Sequence, residues 1–344
     1  MNSEPIQILG GGLAGLSLGL SLRQHSVPVV VHEAGGYPRH RVCGEFLSGR
    51  GITCLRSLGV LDRIVSAGGR WAETASFFSE RGPICHHRLP QPALCVSRFV
   101  LDHMLARALC EKGGVVVEGS RRETSELGPG TVRATGRNLA RPDGSDSRWF
   151  GVKAHVRGVE LSADLEMHLV SGGYIGLCQL SDGRVNVCGL LRKQAGTAGR
   201  GVRDWLRGVV GSVLRQRLEE AQFDEESLCA VSGLDLRPRQ ARAAESTVGD
   251  ALTMIPPITG NGMSLALESG QIASVPIADF SRGTRAWEET RREVASRLDR
   301  AFRRRLFWAS WLHRGFAAPK CAESRLLATL RWSYAWRLWF WLTR

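Results

Sequence analysis

The residues whose types and spacing can do chemistry cluster first near the start of the chain. Gly10, Gly12 and Gly15 follow an apolar run, Ile6-Gln7-Ile8-Leu9, and open a helix-like one. In that context Gly10 permits a tight turn out of a strand, Gly12 lets the backbone approach a pyrophosphate, and Gly15 allows a helix to pack closely on the sheet. Leu13 and Ala14 complete the turn and belong to the same cofactor-binding set. Glu33, with Ala34 after it, closes the next apolar run, Val27 to Val31, about 20 residues past the glycines, where a carboxylate takes a ribose hydroxyl. This is a dinucleotide-binding fingerprint, and by itself it leaves FAD and NAD open.

A second group lies far down the chain. Thr247-Val248-Gly249-Asp250-Ala251 reads as a short strand ending in Gly-Asp, followed by Pro256-Pro257-Ile258-Thr259-Gly260-Asn261-Gly262-Met263 and a helix-like run. Asp250 can accept from ribitol hydroxyls, while Gly260, Asn261 and Gly262 offer N–H groups and a positive helix end to an electron-rich ring. This stretch resembles the second FAD motif of the flavoprotein monooxygenase and geranylgeranyl reductase superfamily. Ser97-Arg98-Phe99-Val100-Leu101-Asp102 is a third match, the start of a helix whose arginine faces the flavin in such proteins. The three motifs cover most of residues 1 to 280. The resemblance implies bound FAD, with Arg41, Arg98, Gly249 and Asp250 contacting it and Pro257 and Gly260 to Met263 beside its ring.

The reaction is chosen by residues around that ring. Arg39-His40-Arg41-Val42-Cys43-Gly44-Glu45-Phe46-Leu47-Ser48 sits where geranylgeranyl reductases carry a Pro-Cys-Gly-Gly loop and flavin halogenases a Gly-Glu-Ser stretch, and it is similar to both. The halogenases' Trp-x-Trp-x-Ile-Pro motif is missing, the comparable strand reading Gly173-Tyr174-Ile175-Gly176-Leu177-Cys178, and so is their catalytic lysine. Halogenation therefore ranks behind the other reactions. Hydroxylases and reductases both carry Ala-Asp-Gly-x-x-Ser after the central strand, where this chain reads Arg133-Ala134-Thr135-Gly136-Arg137-Asn138, without the aspartate. NADH or NADPH is the expected electron donor, with no site assigned. The resemblance implies an FAD-dependent oxidoreductase: a monooxygenase of a hydrophobic phenolic or polyketide/quinone-type small molecule, or alternatively a reductase of isoprenoid double bonds. A non-catalytic, membrane-associated flavin-binding scaffold is the alternative of another class.

Two residues are candidate catalytic groups. Cys43, beside Arg41 and Glu45, can face the substrate cavity, where the adjacent arginine favours its thiolate; the alternative is a small buried apolar side chain. His155 alternates with Lys153 and Gly151 to one face of a strand and can serve as proton donor or anchor, against the alternative of a structural histidine. His86-His87 lacks partners at metal-ligand spacing, and no metal site is expected.

The elements that must position these groups follow from periodicity. Residues 5 to 33 read strand, helix, strand; 48 to 67 and 96 to 109 read helix; 71 to 89 read paired strands, and 114 to 118 a further parallel strand. From 149 to 191 the pattern is antiparallel, with turns at Arg157-Gly158, Ser171-Gly172-Gly173 and Ser181-Asp182-Gly183. Residues 205 to 222 and 287 to 311 read helix. The expected fold is mixed α/β (α+β), a Rossmann-like FAD-binding domain with an interleaved antiparallel-sheet substrate domain and a helical C-terminus. Residues 1–70, 96–148 and 241–280 form the FAD-binding domain; 71–95 and 149–240 form the substrate domain; 281–344 form an Arg/Trp-rich helical region.

Composition sets the partners. The 344 residues carry a net charge of +13, nearly all of the basic residues being arginine, yet no recognition motif points to nucleic acid. Nine scattered cysteines without a CxxC pair, and no leader before the first strand, argue for a cytoplasmic protein without structural zinc or disulfides. Trp308, Trp311, Trp332, Trp336, Trp339 and Trp341 interleave with Arg303, Arg304, Arg305, Arg314, Arg331, Arg337 and Arg344. That pairing suits a peripheral contact with a membrane surface and a lipid-soluble substrate, with a tail packed on the protein as the alternative. Arg331 and Arg337 interrupt the last apolar run too much for it to span a bilayer.

Overall fold

The computed structural model describes residues 4–122, 127–137, 149–192, 201–241, 244–316 and 329–344. β1 (Ile6–Leu9) is flanked in parallel by β2 (Val29–His32) and by β7 (Thr131–Arg133), and β6 (Val115–Val117) lies beyond β2. Thr247 extends this sheet through a parallel bridge to Arg133, which delivers Gly249 and Asp250 to the ends of the central strands. Helix α1 (Leu13–Gln24) is buried along nearly its whole length because it is apolar on every side. It lies under α7 (Gly262–Ser281), where a Cβ on Gly270 would stand 2.7 Å from the Ala14 carbonyl oxygen. Ser17 Oγ donates to the Leu267 carbonyl, 2.7 Å away, across the same contact.

The second sheet has eight strands: β3 (Phe46–Leu47), β4 (Arg70–Ser79), β5 (Gly82–Cys95), β8 (Trp149–Arg157), β9 (Leu165–Val170), β10 (Gly173–Gln179), β11 (Val185–Arg192) and β12 (Gln222–Val231). Its spatial order is β12-β8-β11-β10-β9-β4-β5-β3, antiparallel throughout except between β4 and β9. Gly158, Gly172 and Gly183 adopt φ of +72°, +82° and +77°, so the turns fall where their glycines placed them.

Two helices expected from periodicity are shorter than they read. Residues 205 to 222 form α5 (Val202–Leu206) and α6 (Val213–Arg217) before β12 begins, because Gly208 and Gly211 at φ +70° and +81° break the backbone between them. Residues 48 to 67 divide into α2 (Arg50–Ser57) and α3 (Leu61–Ser66) around Gly59 at φ +71°. Helix α4 (Arg98–Glu111) starts at Ser97, whose hydroxyl accepts from the Val100 N–H at 3.2 Å. The late helix runs further than expected, as α8 (Trp287–Phe316), and α9 (Ser333–Leu342) ends the fold. Among the described residues no helix is long and apolar enough to cross a membrane.

Candidate active site

The three glycines of the first turn do three different things. Gly10 sits at φ +115°, and a Cβ there would lie 2.2 Å from the Ala134 carbonyl oxygen; one on Gly15 would lie 2.0 Å from the Gly10 oxygen. A Cβ on Gly12 would meet no atom within 4 Å. The open ground is therefore at the N-terminal end of α1, with Leu13 and Ala14 behind it, and it fits a pyrophosphate on free backbone N–H groups. Glu33 accepts from the Gly11 and Gly35 N–H groups, each at 2.9 Å, and pairs with Arg39 and, at 3.5 Å, with Arg41. Burial opposes its charge, yet the Gly35 amide, the two arginines and the Gly11 amide together hold the carboxyl below its ordinary range. Ala34 beside it is exposed.

Arg98, the first residue of α4, is held by a bidentate pair with Asp102 one helical turn on, at 2.6 and 2.7 Å, and Arg41 reaches the same carboxylate at 3.2 Å. Asp102 is fully buried, so one carboxylate seats both arginines expected at the cofactor. Asp250 stands with Arg98 and Arg137 on the wall of a cavity of about 300 Å³. Burial pushes its carboxyl up, against the pull of Arg137 and Arg98. The same wall carries Pro257, Gly260, Gly262 and Met263. Gly260 turns at φ +62°, and its missing Cβ seats the Phe46 ring, whose Cζ would otherwise lie 2.0 Å away. Asn261 is buried, and its side-chain amide donates to the Thr343 carbonyl at 2.6 Å. Arg98, Arg137, Asp250 and the Gly-rich start of α7 thus converge on one cavity and fit the ribitol and ring of FAD, while the N-terminal end of α1, outside that lining, fits the pyrophosphate.

The opposite wall is the eight-stranded sheet, with Phe77, Leu165, Met167, Tyr174 and Leu177 among its apolar faces. Cys43 lines the cavity, and burial raises its thiol despite the pull of Arg98, which weighs against the thiolate and toward the alternative of a small buried side chain. The arginine at Cys43 is Arg98; Arg41 is engaged by Asp102 and Glu33. His155 is fully buried, and its Nε2–H donates to Glu45 Oε2 at 2.6 Å. Lys153, also fully buried, reaches Glu45 Oε1 at 3.4 Å and donates to His40 Nδ1 at 3.1 Å. The Arg98 N–H donates to Glu45 Oε1 at 3.0 Å.

Glu45 is the hub of this group and adopts φ +58°, a backbone state that costs a non-glycine residue about 1–3 kcal/mol. The alternation of Lys153 and His155 was legible in sequence, whereas the roles of Glu45, His40, Asp102 and Arg137 were not, because each depends on a partner distant in the chain. His40, Glu45 and His155 also bring three metal-ligand atoms within 4.8 Å of one another, a grouping missed in sequence. The Lys153 ammonium already lies against two of them.

The C-terminal region closes the cavity. Trp336, Trp339 and Phe340 line it, with Trp336 stacked on His87 at 5.4 Å and Trp339 on Trp311 at 5.2 Å. Arg344 donates to Ser48 Oγ at 2.8 Å and to the Thr259 carbonyl at 3.2 Å, which ties the tail to the Pro257–Gly260 turn. Another face of the same helices stays exposed through Phe307, Trp311, Trp332, Tyr334, Leu338 and Trp341. Asn138 of the 133–138 stretch, and residues 317–328 of the Arg/Trp-rich region, lie outside the described residues.

A family model described as an FAD binding domain matches residues 4–146. No curated protein matches the chain. Among solved structures, the fold is similar to the flavin-dependent brominase Bmp2, at 17% identity and TM-score 0.73 over 98% of this chain and 94% of that one. It is similar as well to a geranylgeranyl bacteriochlorophyll reductase-like protein from Thermoplasma acidophilum, at 18% identity and TM-score 0.73 over 94% and 90%. PqsL of P. aeruginosa in complex with 2-aminobenzoylacetate aligns at 15% identity and TM-score 0.72 over 94% and 98%. At such identities the likeness is one of fold, shared by a brominase, a reductase-like protein and PqsL.

Proposed function

We propose that this FAD-dependent oxidoreductase, with the fold of the flavoprotein monooxygenases and geranylgeranyl reductases, hydroxylates a hydrophobic phenolic or polyketide/quinone-type small molecule. NADH or NADPH supplies the electrons. The observation that carries the reading is the cavity, whose polar groups gather at the Arg98–Asp250–Gly262 end while its remaining walls are mostly aliphatic and aromatic. FAD bound at that end supplies two-electron chemistry and, once reduced, reactivity toward oxygen. The protein's share is position and electrostatics. Gly12 and the start of α1 take the pyrophosphate, Glu33 a ribose hydroxyl, Asp250 the ribitol, and the Gly262 and Met263 N–H groups the electron-rich edge of the ring. Trp336, Trp339 and Phe340 keep water from the reacting face. In this reading 1–70, 96–148 and 241–280 hold the cofactor, and 71–95 and 149–240 cover the substrate.

One observation favours double-bond reduction as a second reading. Cys43 stands on the cavity wall with Arg98 beside it, a charge that would support the thiolate left if the thiol gave its proton to a substrate carbon. His155 acts in either case through Glu45. The two readings separate when the FAD-loaded protein is reduced anaerobically. Reoxidation by oxygen that yields hydroxylated phenol supports the first, and anaerobic reoxidation by an isoprenoid alkene supports the second. Neither, across a panel of both substrate classes, would leave a flavin-binding scaffold. Asp250→Ala should lower FAD occupancy at least tenfold; native occupancy would remove Asp250 from the site. The exposed Trp311, Trp332, Tyr334, Leu338 and Trp341, with the exposed Arg304 and Arg337, support a peripheral membrane contact for a cytoplasmic protein, and flotation with anionic liposomes tests it.

A further inference from the structure

Behind the cofactor wall lies a second and larger space, a cleft of about 820 Å³. The two share a thin partition. Leu234, Ile255, Pro257 and Leu312 face the cavity, while Leu236, Pro256 and His313, their neighbours in the chain, face the cleft. The cleft is cationic. Arg192, Arg237, Arg239, Arg303 and Arg314 line it against Asp235 and Asp299, five arginines to two carboxylates. Asp235 is spent on Arg237, at 2.9 and 3.1 Å, and on Arg239 at 3.0 Å, and Asp299 accepts from the Ala241 N–H at 2.9 Å. Arg192, Arg303 and Arg314 make no ion pair with a described residue. Trp149, Phe307 and His313 add aromatic surface at the same place, Trp149 and His313 with ring centroids 5.0 Å apart.

Unpaired guanidinium groups recognise phosphate oxygens in bidentate fashion, and aromatic faces stack on nucleobases. We propose that this cleft binds a pyridine dinucleotide, its phosphates on Arg192, Arg303 and Arg314 and an aromatic ring against Trp149 or Phe307. The proposal rests on the oxidoreductase reading for its choice of ligand, since that reaction needs a diffusible two-electron donor; the cleft is the docking place of its phosphates, and hydride passes only where its nicotinamide touches the flavin. The Ala-Asp-Gly-x-x-Ser motif that would mark such a site in sequence is missing here. The volume lies within the range of small-molecule sites and holds more than a single phosphate.

Isothermal titration of the full chain with NADPH, NADH and inorganic tripolyphosphate tests it, with and without FAD. Arg303 and Arg314 are exposed, so Arg303→Glu and Arg314→Glu should fold. Binding of a dinucleotide that weakens at least about tenfold in each variant, and weakens with added salt in the wild type, is the expected result. NADPH binding more tightly than NADH would place the extra phosphate on the arginines, and equal affinity would place only the pyrophosphate there. Either is a form of the proposed site. Absence of dinucleotide binding, affinity unchanged in both variants, or tripolyphosphate binding as tightly as the dinucleotides would overturn it. Failure of the protein to take FAD strikes the functional reading instead, since the cleft can be titrated in the FAD-free protein.

Discussion

At the scale of single residues, Gly12 and Gly15 have opposite duties. Gly15 is a packing glycine, since a methyl group there meets the Gly10 carbonyl oxygen at 2.0 Å and nothing in the backbone can yield. Gly15→Ala should destabilise the FAD-free protein by about 1–3 kcal/mol, read from chemical unfolding. Gly12 has φ −82°, which any residue adopts, and open space where its Cβ would be. Gly12→Ala should leave the FAD-free melting temperature within error while weakening FAD binding tenfold or more. A Gly12 variant that melts early yet binds FAD normally would reverse these assignments. Sequence spacing named both glycines, but which one faces ligand and which faces backbone depends on what the fold brings against each.

At the scale of elements, α4 does more than offer one arginine. Its i to i+4 spacing sets Asp102 under Arg98, and burial makes that carboxylate the counter-ion for Arg41 from a different segment. Asp102→Asn leaves Arg98 without its carboxylate and Arg41 with Glu33 alone, and should cost about 3–5 kcal/mol in urea unfolding with FAD affinity lost in parallel. A variant of native stability would show that the arginines find other partners. Strand β8 does similar work, since the period of two put Lys153 and His155 on one face, and the fold then met that face with Glu45 and His40. Period alone could not show what stands opposite a strand.

At the scale of the molecule, buried ionisable groups predict acid sensitivity. His40 is held down to about 4, from an ordinary 6.5, by burial and by the Lys153 and His155 charges. His32 and His168 are lowered too, chiefly by burial. The folded protein keeps these histidines neutral while the unfolded chain protonates them below about 6.5, so stability is lost as pH falls through that value. Glu33, Glu45 and Glu166 have carboxyls lowered from 4.5, so their contribution is present above about 4.5 and is lost on further acidification. Melting temperature should therefore decline continuously from pH 7 to pH 4; a plateau between 5 and 6.5 would show that the histidines do not contribute.

The tail belongs to the same scale. Removing residues after Ser324 should open the cavity, seen as faster quenching of bound-flavin fluorescence by iodide and more hydrogen peroxide released per reduced flavin reoxidised by oxygen. Unchanged quenching would mean that Trp336, Trp339 and Phe340 do not seal the site.

By itself the sequence determined the cofactor turn, the alternation of its strands, the turns at Gly158, Gly172 and Gly183, and an aromatic, arginine-rich end. These are local properties, because a glycine's backbone freedom and a strand's two-residue period need no distant partner. Tertiary structure alone decided that Asp102 seats two arginines, that Glu45 gathers His155 and Lys153, and that the tail, read in sequence as a membrane contact or a packed segment, lines the cavity. The reason is physical: a charge or a ring acquires its role from what is packed against it, and those neighbours lie up to 296 residues away, as between Ser48 and Arg344.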